Sequence, residues 1–321
     1  ELQEFSGKIS DIKITDYKSP FYLDFFGKEV DEQDGQLGQI IENFRIFNAL
    51  RKKLLANNNI TVFAPNSYEE INSNESGVEI ILDNKKVVNA KIALACDGKF
   101  SKIREKFQIH KTVKKYHQTA ITFSIKHQKP HENVAYEKFL SGGPLAILPL
   151  HNQYESSIVW IAKNDLAQAI LELDEENFKQ QLLKKMENCL GEVEIISDKF
   201  PYQLTLIEAD KFYHEKLLLI GDASCSVHPI AGQGFNLAMG NMKILVELIA
   251  QNNGNLDEEL IKTYNKKAKI SAQKMAIATD VLNSIFETNN LPISVARNIG
   301  LGFLNKMPKL KKFFIKSAGG F

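Results

Sequence analysis

Residues 218–238 read Leu-Leu-Ile-Gly-Asp-Ala-Ser-Cys-Ser-Val-His-Pro-Ile-Ala-Gly-Gln-Gly-Phe-Asn-Leu-Ala. The apolar run from Leu217 to Ile220 is short and bounded by turn residues, the pattern of a buried central strand in an α/β sheet. It ends in Gly221-Asp222. A loop carrying Pro229, Gly232 and Gly234 then leads into an apolar helical stretch that continues to Ala250. Glycine admits positive φ and lets backbone come close to a ligand. A helix opening beyond such a loop presents free N–H groups and a partial positive charge. Asp222 stands at the carboxyl end of the strand, where open α/β sheets bind ligands, and can accept hydrogen bonds from ligand hydroxyls. A plain strand–turn–helix with glycines for close packing is the competing reading; two such pieces at a defined spacing favour a ligand site.

The segment resembles the flavin-contacting motif of para-hydroxybenzoate-hydroxylase-type monooxygenases. Within that group, His228 to Asn236 is similar to the signature of ubiquinone-biosynthesis (2-polyprenylphenol) hydroxylases. The resemblance implies that Asp222 holds the ribityl chain of FAD, that the loop from Pro229 to Gly234 lies against the isoalloxazine, and that the helix start faces its pyrimidine edge. Reduced flavin is anionic there, and helix N–H groups stabilise an anion. The positions carried over are Asp222, Pro229, Gly232, Gln233, Gly234 and Asn236. Cys225 stands where a His is usual, and Ala238 and Asn241 where Gly and Asp are usual.

Residues 95–104, Ala-Cys-Asp-Gly-Lys-Phe-Ser-Lys-Ile-Arg, contain an Asp-Gly turn, which alone is common. Asp97, Gly98, Ser101 and Arg104 match the family's Asp-Gly-x-x-Ser-x-x-Arg. The resemblance implies that Asp97 touches FAD and the pyrophosphate region used by NAD(P)H. A backbone turn beside a helix start suits phosphates. Asp97, Gly98 and Arg104 therefore join the cofactor-binding candidates. Residues 41–45, Ile-Glu-Asn-Phe-Arg, resemble the helix beside the flavin, with Asn43 where a ring-side polar group is expected; Arg45 is more simply a solvated helix charge.

Outward from these motifs, residues 8–30 read as strands around a turn, and 40–56 as a helix. Residues 60–95 read as short β-runs beginning with Thr61-Val62-Phe63, and 119–126 and 144–162 as β-rich. Residues 164–190 read as helical, and 256–287 as one long helix capped by Asn255 or Asp257. Residues 131–160 are similar to the family's β-sheet substrate domain; Gly142-Gly143-Pro144 and the strand after it suit the floor of an apolar pocket, though most of these side chains read as plain sheet core. The expected fold is α/β, of the para-hydroxybenzoate hydroxylase-like type: a partial Rossmann-type FAD domain, a mixed β-sheet substrate domain and C-terminal helices. Residues 35–105 and 206–250 are assigned to the FAD-binding domain, 1–34 and 106–205 to the substrate domain, and 251–321 to the C-terminal helical region.

The chain has 321 residues, 44% of them hydrophobic and 25% charged, with a formal net charge of +1. That balance gives no bias toward nucleic acid. No apolar run reaches the roughly 18 residues a membrane span needs. Cys96, Cys189 and Cys225 form no CxxC pair, which argues against a disulfide framework or a zinc site and for a reducing, cytoplasmic setting. After Glu287 no acidic residue occurs, and Arg297, Lys306, Lys309, Lys311, Lys312 and Lys316 alternate with apolar residues. Such a tail suits an anionic membrane surface or a quinone-biosynthesis partner. A helix packed on its own domain is the alternative.

Members of the family begin with a strand, a Gly-x-Gly-x-x-Gly loop and a helix that hold the ADP half of FAD. The present residues contain no Gly-x-Gly-x-x-Gly. The expectation is a chain without that nucleotide-binding start, whose own affinity for FAD is open. The reaction the resemblance implies uses NAD(P)H to reduce FAD and O2 to form a flavin C4a-hydroperoxide, which transfers one oxygen to the ring of a polyprenylated phenol. The hard chemistry is the cofactor's, and no acid–base residue is nominated. His228 is either a polar contact near the flavin or a structural loop residue. The alternatives are a prenyl reductase or halogenase of the same fold, or a non-catalytic remnant or scaffold.

Overall fold

The computed structural model describes residues 2–16, 22–29, 35–140, 142–228 and 232–287. In chain order its elements begin with β1 (Gly7–Ile9), β2 (Asp11–Asp16), β3 (Tyr22–Phe26), β4 (Gly38–Ile40) and α1 (Asn43–Leu55). They continue with β5 (Tyr68–Asn74), β6 (Gly77–Leu82), β7 (Val87–Ala90), β8 (Ala93–Ala95), α2 (Lys102–Lys106) and β9 (Lys111–His127). Next come β10 (Val134–Leu140), β11 (Gly143–Pro149), β12 (Glu155–Lys163), α3 (Asn164–Leu171), α4 (Glu175–Met186) and β13 (Val193–Ile195). The last are β14 (Phe200–Ala209), β15 (Tyr213–His214), β16 (Leu217–Leu219), β17 (Cys225–Ser226), α5 (Gln233–Gln251) and α6 (Glu258–Glu287).

The chain divides into two compact units. The first takes the described residues of Glu1–Asn58, His117–Leu204 and Ser284–Phe321; the second is Asn59–Tyr116 with Thr205–Asn283. Residues 35–58 thus fall in the first unit, and α6 as far as Asn283 in the second.

In the first unit, β9, β12, β11, β10, β2 and β3 lie side by side in that order, with β13 also on β9. All neighbours are antiparallel except β10 and β2, which are parallel. Successive strand side chains alternate between faces. Ile121, Phe123, Ile125, Leu145, Ile147, Ile158 and Trp160 fill one face and pack against Ala167, Ile170, Phe178, Leu182 and Met186 of α3 and α4. Phe178 is the pivot, with its ring 5.3 Å from Phe123 and 5.7 Å from Trp160. Burying one such side chain stabilises by roughly 2–3 kcal/mol. The opposite face is apolar but only half-buried at Ile12, Ile14, Phe25, Ala146, Leu148 and Val159.

Two expectations are corrected. The helix expected over 164–190 is two helices, because Asp174 caps a new one: its carboxylate accepts the Asn177 N–H at 2.8 Å. Thr61-Val62-Phe63 forms no strand; Val62 is exposed, and Pro65 shortly beyond lacks a ladder N–H. The strand lies instead at β5. It turns into β6 through a hairpin where Asn74 Oδ1 accepts the Ser76 and Gly77 N–H groups at 2.9 and 3.2 Å. The helix α1 forms as expected, yet none of its residues is buried, and Phe44, Phe47, Leu50 and Leu54 stand exposed along it.

In the second unit, β16 runs parallel to β8, with Leu217 opposite Ala93 and Leu219 opposite Ala95, and antiparallel to β15. Leu217, Leu218 and Leu219 are fully buried, as the short apolar run predicts. The strands β5, β6 and β7 form a separate meander. Helix α6 is capped by Asp257, whose carboxylate accepts the Leu260 N–H at 2.8 Å. It buries one stripe at Leu260, Tyr264, Ala268, Ala272 and Ala276, the four-residue spacing of a single helix face. The Tyr264 hydroxyl donates to the Leu219 carbonyl at 3.3 Å, tying α6 to β16.

Candidate flavin site

Strand β16 hands the chain to Ile220, whose N–H donates to the Ala95 carbonyl at 3.0 Å. Gly221 then takes φ +61°, and a single 3₁₀ turn follows, closed by the Ser224 hydroxyl on the Gly221 carbonyl at 2.8 Å. This turn leaves Asp222 exposed, and no described residue donates a hydrogen bond to its carboxylate. Partial loss of water raises the carboxyl above its ordinary value, and the Lys99 ammonium offsets part of the rise. Beyond the turn, β17 pairs with the end of β14, Glu208 opposite Cys225. Burial pushes the Cys225 thiol up to about 12, so it is an inert core group. His228 is fully buried, edge-on to Tyr116 with 4.6 Å between ring centroids, and burial pushes its pKa down to about 4.

Pro229, Ile230 and Ala231 lie outside the described residues. Gly232 resumes the chain at φ +63° as the residue before α5, with no side chain capping the helix. A side-chain carbon placed on Gly232 or Gly234 would meet nothing within 4 Å. The first N–H groups of a helix have no intrahelical partner, and no described side chain caps those of α5. Asn236 turns its amide back to Gln233 Oε1 at 3.4 Å.

The second motif sits beside the first because β8 and β16 are parallel neighbours whose carboxyl ends coincide. After Ala95, Asp97 is exposed and accepts the Ile103 N–H at 3.1 Å, and Gly98 takes φ +82° with open space around it. Ser101 caps α2, its Oγ accepting the Arg104 N–H at 2.9 Å. Arg104 itself is fully buried. Its guanidinium donates to the Ala223 carbonyl at 2.8 Å and the Lys99 carbonyl at 2.9 Å, while Nε has no partner. Arg104 therefore clamps the Asp97 turn to the Asp222 turn from beneath. Lys99, buried and near enough to act on Asp222, is a site residue that sequence reasoning passed over; it occupies an unassigned x of the second motif. Asn43 opens α1 in the first unit, and the other candidates belong to the second.

An exposed carboxylate without a donor, an uncapped helix start and glycines at positive φ with open surroundings fit what FAD presents: ribityl hydroxyls and an anionic ring edge. Fold and site together define the FAD-dependent hydroxylase class. The architecture matches p-nitrophenol 4-monooxygenase PnpA of Pseudomonas putida with a TM-score of 0.80 at 13% identity, covering 98% of this chain and 82% of that one. It matches Klebsiella pneumoniae HpxO, solved with FAD and uric acid, with a TM-score of 0.77 at 12% identity, covering 98% and 82%. Residues 21–279 match the FAD binding domain family. Ubiquinone hydroxylase UbiL of Rhodospirillum rubrum is 32% identical over 319 residues, 98% of this chain and 73% of the relative. The 3-demethoxyubiquinol 3-hydroxylase of Escherichia coli is 26% identical over 289 residues, 88% and 73% respectively. The chain belongs to the FAD-dependent ubiquinone-biosynthesis hydroxylases.

The family and fold read from residues 218–238 are thus borne out. The basic tail beyond Glu287 lies outside the described residues, and among those described no helix is long and apolar enough to cross a membrane.

Proposed function

We propose that this chain hydroxylates the aromatic ring of a polyprenylated phenol, consuming NAD(P)H and O2. The observation that carries the reading is the uncapped, glycine-opened start of α5 in the same segment as the donorless carboxylate of Asp222. FAD, when bound, supplies hydride acceptance and oxygen activation. Asp222 accepts hydrogen bonds from the ribityl hydroxyls. Gly232, Gln233, Gly234 and Asn236 would hold the ring system, and the α5 N–H groups would stabilise negative charge on it. Asp97 and Gly98 flank the phosphate side, and Arg104 keeps the two turns in register. The segments 35–105 and 206–250 serve the cofactor, and 1–34 and 106–205 the phenol. The basic tail holds the enzyme against an anionic membrane, where a polyprenylated substrate resides.

The test is direct. The FAD-loaded protein is mixed with NAD(P)H, O2 and a prenylated phenol, and the product is weighed by mass spectrometry. A gain of one oxygen, with phenol-dependent NAD(P)H oxidation, supports the reading; NAD(P)H oxidation that leaves the phenol intact sinks it.

A further inference from the structure

Across the sheet of the first unit, one row of paired residues runs Leu23, Ile14, Glu137, Ala146, Val159 and Thr122. Glu137 is the one charged residue in it. Tyr136 and Leu140 on the same strand pack into the core beneath α3 and α4, so alternation turns Glu137 to the opposite, half-buried apolar face. No described residue donates a hydrogen bond or an ammonium to its carboxylate. The next residue shows that the fold pairs buried charge when it serves structure alone: Lys138, buried on the core face, meets Glu187 at 2.6 Å. A carboxylate held among Ile14, Ala146 and Leu23 without a partner costs stability that an apolar residue would not. Burial alone raises its pKa to about 7. The other charged side chains in register with this sheet face are Asp16 on β2, Lys126 on β9, Glu194 on β13 opposite Lys126, and Glu155 and Lys163 on β12, none of them in Glu137's own row.

We propose that Glu137 is a catalytic residue whose carboxylate accepts the proton of the substrate's phenolic hydroxyl, the apolar sheet face around it receiving the ring. This rests on the phenol reading above. The O–H bond breaks with its electron pair remaining on the phenolic oxygen, and an Oε–H bond forms on Glu137. The phenolate oxygen then feeds electron density into the ring carbon that takes up oxygen. Afterwards Glu137 returns its proton to the phenolic oxygen and ends ionised as it began, while the proton lost from the ring carbon goes to the second oxygen atom of O2, which leaves as water. A base whose pKa lies near the working pH is suited to this transfer.

The experiment compares wild type, Glu137→Gln and Glu137→Asp, all FAD-loaded, with a geranyl-substituted phenol and its O-methyl ether. Gln keeps the shape and removes the base. The expected result is a kcat lower by about 100-fold in Glu137→Gln and partly restored in Glu137→Asp, as for loss of a general base. FAD affinity stays unchanged, and the unfolding midpoint of Glu137→Gln does not fall, because the variant removes a buried charge that the fold leaves unpaired. In wild type kcat/KM rises with pH through about 7; in Glu137→Gln that limb disappears. By calorimetry, wild type prefers the phenol to the ether by about tenfold, the worth of a hydrogen bond to a charged group, and Glu137→Gln does not. Wild-type hydroxylation with Glu137→Gln within threefold of it, and the same preference for phenol, overturns the inference while leaving the hydroxylase reading intact. A wild type that oxidises NAD(P)H without modifying the phenol removes both.

Discussion

Tyr116 donates its phenolic hydrogen to the carboxylate of Asp280, 164 positions further along the chain, and Lys114 meets the other oxygen of that carboxylate at 2.7 Å. Burial opposes ionisation of Asp280, but the bonds from Lys114 and Tyr116 outweigh it and hold the carboxyl below its ordinary value. Burial, then the hydrogen bond to Asp280, push the Tyr116 phenol up, so the proton stays on the tyrosine. Through the edge-on contact of Tyr116 with His228, α6 is coupled to the segment that leads into the flavin loop.

Tyr116→Phe and Asp280→Ala are each expected to destabilise by about 1–3 kcal/mol, the worth of a hydrogen bond to a charged group. Because both remove the same bond, the double variant should lose less than the sum. Urea unfolding of the four proteins checks this; strictly additive losses would show that the two residues act independently.

His228 makes stability depend on pH. Its folded pKa is about 4, against an ordinary value of 6.5. Between those values the unfolded chain binds the proton and the folded chain does not, so stability falls as pH drops from about 6.5 to about 4. The loss is on the order of 3 kcal/mol over that window. His127 and His131 are shifted the same way, chiefly by burial. His228→Gln should therefore flatten the pH dependence of the unfolding free energy without abolishing it. An unchanged slope would mean that His228 is not buried neutral.

Removing Arg104 should cost about 3 kcal/mol or more, since it deletes two bonds to buried carbonyls and leaves a cavity. Arg104→Lys should restore only part of this, because one ammonium cannot span both the Ala223 and Lys99 carbonyls. Thermal unfolding measures it, and full recovery by lysine would contradict the clamp.

Gly232→Ala should weaken FAD binding more than it weakens the fold. The left-handed backbone costs alanine roughly 1–2 kcal/mol, and the added carbon points into space that is open without the flavin. FAD affinity, read by flavin fluorescence, should fall by tenfold or more while the unfolding midpoint shifts by a few degrees. A variant that binds FAD as wild type does would remove Gly232 from the site.

How much of this was legible in the sequence follows from how local each feature is. The strand Leu217–Leu219, the Gly221-Asp222 turn and the helix after Gly234 are short-range patterns, and they were readable. Asp257 as the cap of α6 was readable for the same reason. The Arg104 clamp was not, because its acceptor on Ala223 is set by the register of β8 on β16. Glu137 was hidden likewise: a strand flanked by Tyr136 and Lys138 does not announce which face is the core until its neighbours are paired. The split at Asp174 was misread because apolar residues continue at helical spacing across it. Pro229 and the basic tail, both singled out from sequence, lie outside the described residues.

The most direct measurement is a titration of the purified protein with FAD, wild type beside Asp222→Ala, followed by the visible spectrum of the bound flavin. Wild type should take up FAD and bleach on adding NAD(P)H. Asp222→Ala should bind at least tenfold more weakly while its unfolding temperature without FAD shifts by a few degrees at most, since no described residue donates a hydrogen bond to that carboxylate and the loss is confined to its charge interaction with Lys99. Equal FAD affinity in the two proteins, or no bound flavin in either, would contradict the assignment of this turn to the cofactor.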